Sequence, residues 1–159
     1  MSRADRDGCA GAAAGFVATA TMTVVMEGVR RLLPRHQQDP LPPRQITTRA
    51  AHAAGVGHAL TEGEKEGATA ATHFAFGAAA GAVYGLAARH LPLGPAAGGV
   101  GFGLAVWAGS YLGWLPATGL YKHPADEPAG RHADMILSHV VWGVTLGLLT
   151  TALVGRDRG

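Results

Sequence analysis

The sequence predicts an all-α integral membrane protein, a four-helix bundle made of two similar helical hairpins, and three observations predict it. First, the 159 residues include only 13 Lys or Arg and 11 Asp or Glu, clustered so that residues 8–26, 67–88, 90–121 and 135–155 carry no such charge. These intervals run 19, 22, 32 and 21 residues, and a crossing helix needs about 20 apolar residues, at about 1.5 Å each, to span about 30 Å of hydrocarbon. Second, helices of a water-soluble bundle place charges every three or four positions on their outer faces, and these intervals place none. Third, "THFAFGAAAG" at 72–81 and "SHVVWGVTLG" at 138–147 share one skeleton: a hydroxyl residue, a histidine, an aromatic four positions after the hydroxyl, then glycines.

Helix 1 is expected from about Ala10 to Leu33, ending at Pro34, with Arg30 and Arg31 at the membrane surface. Arg3 and Arg6 before an apolar run resemble a signal peptide, but the run continues through "TVVMEGVRRLL" without a stop and reads as the first crossing. The single Cys9 excludes an internal disulfide. A polar loop, residues 34–68, follows; in "RHQQDPLPPRQ" Pro40, Pro42 and Pro43 argue against a regular helix and for an extended course. "QITTRAAHAAG" is a candidate surface helix. Thr61 and Glu64 form a capping-box pattern, so helix 2 starts in water, enters the membrane near Thr69 and leaves near Arg89. "HLPLGP" is a tight connection. Helix 3 is expected at about Ala96 to Leu115, a second polar loop at 116–132, and helix 4 at about Ala133 to Val154.

The chain therefore divides into a first hairpin, residues 1–90, and a second, residues 91–159, within one membrane domain. Each first helix ends at Leu-Pro (Leu33-Pro34, Leu115-Pro116) and each second helix carries the histidine. Because each unit crosses twice, both copies run the same way, and the repeat is of the parallel kind. Arg3, Arg6, Arg89, Arg156 and Arg158 crowd the helix ends on the side of the termini, which favours both termini in the cytoplasm.

Many of the 24 glycines fall four apart: Gly11 with Gly15, Gly77 with Gly81 and Gly85, Gly99 with Gly103, Gly109 with Gly113, Gly143 with Gly147. Small residues at this spacing let helix backbones approach closely in lipid, within the chain or against a second copy or another membrane protein. His73 and His139 lie at matching depths, roughly 7 Å below one surface. Three roles are open to them: hydrogen bonding within the bundle, with Thr72 and Ser138 nearby; ligation of a metal ion or a haem between helices 2 and 4; or titration, as in a transporter or pH-responsive protein. No H-x-x-x-H, C-x-x-C or H-E-x-x-H spacing supports a metal site. Glu27, three and four residues before Arg30 and Arg31, is a candidate boundary ion pair or proton site. Trp107, Trp114, Tyr111, Tyr121 and Trp142 are interface anchors or packing residues. The basic residues form no nucleic-acid stripe, and no phosphate loop, nucleophile elbow or carboxylate pair points to an enzyme.

On "DPLPPRQIT", "THFAFGAAAGAVYGL" and "SHVVWGVTLGLL", the chain resembles the YagU-like group of small bacterial inner-membrane proteins. The resemblance implies a multi-pass protein of the bacterial cytoplasmic membrane, in contact with lipid, without catalytic residues to carry across. The functional expectation is a non-enzymatic accessory or assembly component. The alternatives are a small transporter or pH-responsive protein using His73 and His139, or a haem or metal protein using the same pair.

Overall fold

Helix α1 spans Arg3–Leu32 in the computed structural model, which describes residues 2–156. It starts seven residues earlier than the apolar pattern implies, because Ser2 and Asp5 form a capping box: the Asp5 amide donates to Ser2 Oγ (3.1 Å) and the Ser2 amide to Asp5 Oδ2 (2.8 Å). It stops as expected at Leu33, whose extended backbone is what a following proline requires.

Past a 3₁₀ turn at Arg35–Gln37, helix α2 covers Pro42–Ala53. This corrects the extended course expected of the proline-rich stretch. Pro42 and Pro43 occupy the first turn, where the missing N–H would have no helical partner anyway. Gly55 ends α2 in the left-handed region at φ 76°. Helix α3, Glu62–Ala87, begins with the expected Thr61–Glu64 capping box.

Helix α4 is short, Pro95–Trp107. The single regular helix expected to Leu115 gives way to a π-helical segment, Ala108–Trp114, and one turn, α5, at Leu115–Ala117. Gly113 leaves helical geometry altogether (φ −109°, ψ −106°). Gly109 and Gly113, expected to pack, meet no other helix closely; glycine holds a helix least well of all residues except proline, and here the ladder widens. Helix α6, Ala129–Arg156, starts four residues before the expected Ala133.

Among the described residues helices are the only regular elements, without a strand. Three helices are long and apolar enough to cross a membrane: Arg3–Leu32, Glu62–His90 and Ala129–Gly155. Large apolar side chains such as Phe16, Val17, Val24, Val83, Leu137 and Leu148 point outward.

α1 packs against both α3 and α6, and α6 against α4, while α3 and α4 make sparse contact. Glycine sets two of these interfaces. Gly81 lies against the backbone of Gly11 and Gly15, and Gly85 against Asp7 and Gly11. In the second hairpin, Gly143 lies against Gly99, and Gly147 against Pro95 and Gly99. The register matches: Gly77 faces the Gly15 carbonyl as Gly143 faces that of Gly99, and Gly81 faces the Gly15 Cα as Gly147 faces the Gly99 Cα. The hairpins meet where Ala14, Ala18, Met22 and Met26 of α1 and Trp142 and Leu146 of α6 are buried. Trp142 Nε1 donates to Thr19 Oγ1 across that seam (3.2 Å).

Candidate functional site

α3 and α4 are joined by the tight connection and meet at that end, where the Tyr84 and Phe102 rings sit 5.3 Å apart and Tyr84 Oη reaches the Pro95 carbonyl (3.4 Å). Toward the long loops, residues of both helices and of α1 and α6 line one cavity of about 230 Å³. The floor and inner wall come from Thr19, Met22 and Met26 of α1 and Trp142 of α6. Pro42, Pro43, Ile46 and Thr47 of α2 roof it on the loop side. Thr47 and Thr72 hydroxyls, 3.0 Å apart, and an Arg44–Glu62 ion pair hold that roof to α3. Phe76 (48% exposed) and Trp114 (44%) stand at the rim, so the cavity reaches the outer surface between α3 and the π-helical segment.

His73 and His139, expected at matching depths, both line this cavity. Neither bonds its neighbouring hydroxyl: Thr72 is turned to Thr47 and the Ala68 carbonyl, and Ser138 donates to Asp134 (3.2 Å). His139 Nδ1 lies 2.7 Å from the Met135 carbonyl. A carbonyl only accepts, so Nδ1 carries the proton and, in the neutral ring, Nε2 keeps a lone pair. His73 Nε2 is buried with no partner among the described residues.

Six buried side-chain polar atoms lack a partner among the described residues, and three of them, His73 Nε2, Trp107 Nε1 and Tyr111 Oη, belong to residues that line the cavity. Orphaned buried polar groups are rare in folded proteins and call for an explanation, and three of the six fall on residues around one cavity. Among the described residues no Asp, Glu, Lys or Arg lines it. The walls are otherwise apolar, and an apolar pocket with a few convergent polar groups is the general form of a small-molecule site.

Of the other expected residues, Glu27 and most of the glycines lie apart from it. Glu27 accepts from Arg30 and Arg31, each at 2.8 Å, as the spacing implies. Gly77 lies in the cavity wall and against Thr19, whereas Gly11, Gly15, Gly81, Gly143 and Gly147 lie in the helix interfaces.

A second polar centre escapes the sequence. The Glu127 side chain is fully buried and accepts from Arg131 Nε (2.7 Å), Lys122 Nζ (2.9 Å) and Tyr121 Oη (2.9 Å). Arg131 in turn donates to the carbonyls of Gln37, Asp39 and Pro40, at 3.1–3.3 Å, which locks the two long loops together beside the roof. Burial pushes the Glu127 carboxyl up, but the hydrogen bonds from Lys122 and Tyr121 and the Arg131 charge outweigh it and hold the group below its ordinary value. The i,i+4 spacing of Glu127 and Arg131 is the one signal available beforehand.

Residues 20–148 match the profile of a family described as "Protein of unknown function (DUF1440)", and the chain belongs to that family. Neither a curated protein nor a solved structure matches it.

Proposed function

We propose that the chain is a tetraspan protein of the bacterial cytoplasmic membrane, two hairpins related by an axis along the membrane normal, that serves as a non-enzymatic membrane component built around its intramembrane cavity. The observation that carries this is the equivalent placement of His73 and His139, one from each hairpin, on the wall of one uncharged cavity. The matched glycine registers support the repeat. Residues 95–117, though divided among α4, the π-helical segment and α5, run without a loop and form the fourth crossing. The glycine stripes of α1, α3, α6 and the first half of α4 are engaged within the chain, so a second copy or partner protein would dock on the outward Phe, Val and Leu faces instead.

The test is topology. In a Cys9→Ser background, single cysteines at Ala51 and Ala125 should react with an impermeant thiol reagent from one side of the membrane. Cysteines at Ser2 and Gly94 should react from the other, cytoplasmic, side. Labelling of positions 51 and 125 from opposite sides removes the parallel repeat, and release of the protein by alkaline extraction removes the membrane assignment.

A second reading, a small transporter or pH-responsive protein, draws on the same two histidines and on the rim between α3 and the π-helical segment. A haem or metal site is favoured less. Among the described residues no group of three or more His, Cys, Asp or Glu stands close enough to share an ion.

A further inference from the structure

We infer that the cavity binds an uncharged, single-ring lipophile with oxygen at the ring edge, the chemistry of a benzoquinone or its quinol, with its tail leaving between α3 and the π-helical segment. The inference rests on the membrane reading above and adds the ligand class. Size limits the head: a cavity of about 150 Å³ holds a benzene ring, so about 230 Å³ takes one substituted ring and excludes a tetrapyrrole. Charge limits it further. A phosphate or ammonium head placed here would have no counter-charge, since no lining residue carries one, and an unpaired ion in such surroundings is strongly disfavoured.

The polar atoms then choose among neutral rings. Trp107 Nε1 is a donor only and requires an acceptor oxygen. His139, protonated at Nδ1 against Met135, offers an acceptor at Nε2. His73 Nε2 and Tyr111 Oη add two unpartnered atoms of either sense. A ring bearing carbonyl oxygens satisfies the donors, and its hydroxyl form also satisfies the acceptors. The apolar remainder of the wall, Met22, Met26, Val106 and Trp142, suits the ring faces. Phe76 and Trp114 flank the exit, where an alkyl tail passes from protein to lipid.

All three tryptophans of the chain, Trp107, Trp114 and Trp142, line this cavity, so intrinsic fluorescence reports its occupancy. The full chain in phosphatidylcholine nanodiscs is titrated with 2,3-dimethoxy-5-methyl-6-decyl-1,4-benzoquinone, and separately with decylbenzene, which has the same tail and no oxygen. The expected result is saturable quenching at one quinone per chain, not displaced by equimolar decylbenzene. Trp107→Phe and His73→Leu, each removing one polar atom, should weaken binding about three- to tenfold. Val106→Trp, which fills the cavity, should leave only the linear quenching of a partitioned quinone. Linear quenching in the unaltered chain, or equal competition by decylbenzene, overturns the inference without relying on any variant. If the protein still resists alkaline extraction in that case, the ligand class fails and the membrane reading stands.

Discussion

Replacing Gly81 by Ala adds one carbon where the α1 and α3 backbones are in direct contact. That carbon would lie 2.8 Å from the Gly15 Cα and 3.0 Å from its nitrogen, and closer still to the Gly11 carbonyl oxygen. Non-bonded carbons rest at about 3.5–4.0 Å, so the helices must part by about 1 Å. A gap of that size forfeits a quarter to a half of each dispersion contact along the stripe, and overpacking of this kind costs about 1–3 kcal/mol. The control is Gly101→Ala, where an added Cβ meets nothing within 4 Å; it should be neutral, or stabilising by up to about 1 kcal/mol from helix propensity. Gly143→Ala, 2.8 Å from the Gly99 carbonyl carbon and 3.0 Å from the Val100 Cα, should behave like Gly81→Ala. The assay is SDS-induced unfolding in mild detergent, followed by tryptophan fluorescence. Equal midpoints for Gly81→Ala and Gly101→Ala would refute the claim that bare backbone contact holds the first hairpin. A loss at Gly81 without one at Gly143 would refute the equivalence of the two hairpins.

Glu127→Ala leaves Arg131 and Lys122 without their shared carboxylate. Breaking a buried pair costs about 3–5 kcal/mol, and the Arg131 bonds to three backbone carbonyls put the expected loss at the lower end, read as the shift in SDS midpoint. Because the Glu127 carboxyl is held below its ordinary value, its stabilisation is complete above about pH 4.3 and is lost as the pH falls through the depressed folded value. Amide hydrogen exchange at residues 37–39, corrected for intrinsic rate, should therefore speed up only in strong acid; protection unchanged at pH 2 would count against the lock. Thr19→Val removes the acceptor of Trp142 Nε1 at almost constant shape and should cost about 1 kcal/mol, in the range of interhelical hydrogen bonds in membranes; an unaltered midpoint would show that this bond adds nothing to the seam.

The uncharged intervals are one-dimensional and survive into the structure as α1, α3 and α6. Boundaries depend on local chemistry that admits two outcomes. Proline at the first helical turn looks the same in sequence as proline that prevents a helix, so α2 starts at Pro42 where an extended chain is expected. Gly109 and Gly113 have the spacing of a packing stripe, and only the absence of a partner helix distinguishes them from Gly77 and Gly81. The candidate site divides in the same way. Its histidines are visible because a motif repeats around them. Trp107 and Tyr111 read as interface anchors, since what makes them unusual, buried polar atoms without partners, is a property of the assembled bundle.

That cavity follows from which helix pairs have glycine to bring them together. α1 and α3 approach through Gly11, Gly15, Gly77, Gly81 and Gly85, and α4 and α6 through Gly99, Gly103, Gly143 and Gly147. α1 and α6 close the hairpins on each other with larger residues, Met22, Met26 and Trp142. The one pairing left is α3 with α4, and its approach rests on Tyr84, Phe102 and Pro95 at the end held by the tight turn. At the other end Phe76 on α3 and Trp107 on α4 are side chains too large for close backbone contact, the π-helical segment widens the backbone itself, and the two helices stand apart. Close packing at three seams therefore obliges the fourth to open on the long-loop side. His73 and His139, each about three turns into its helix, both line that opening, and the Glu127–Arg131 lock keeps the loops, and α2 with them, in position over it.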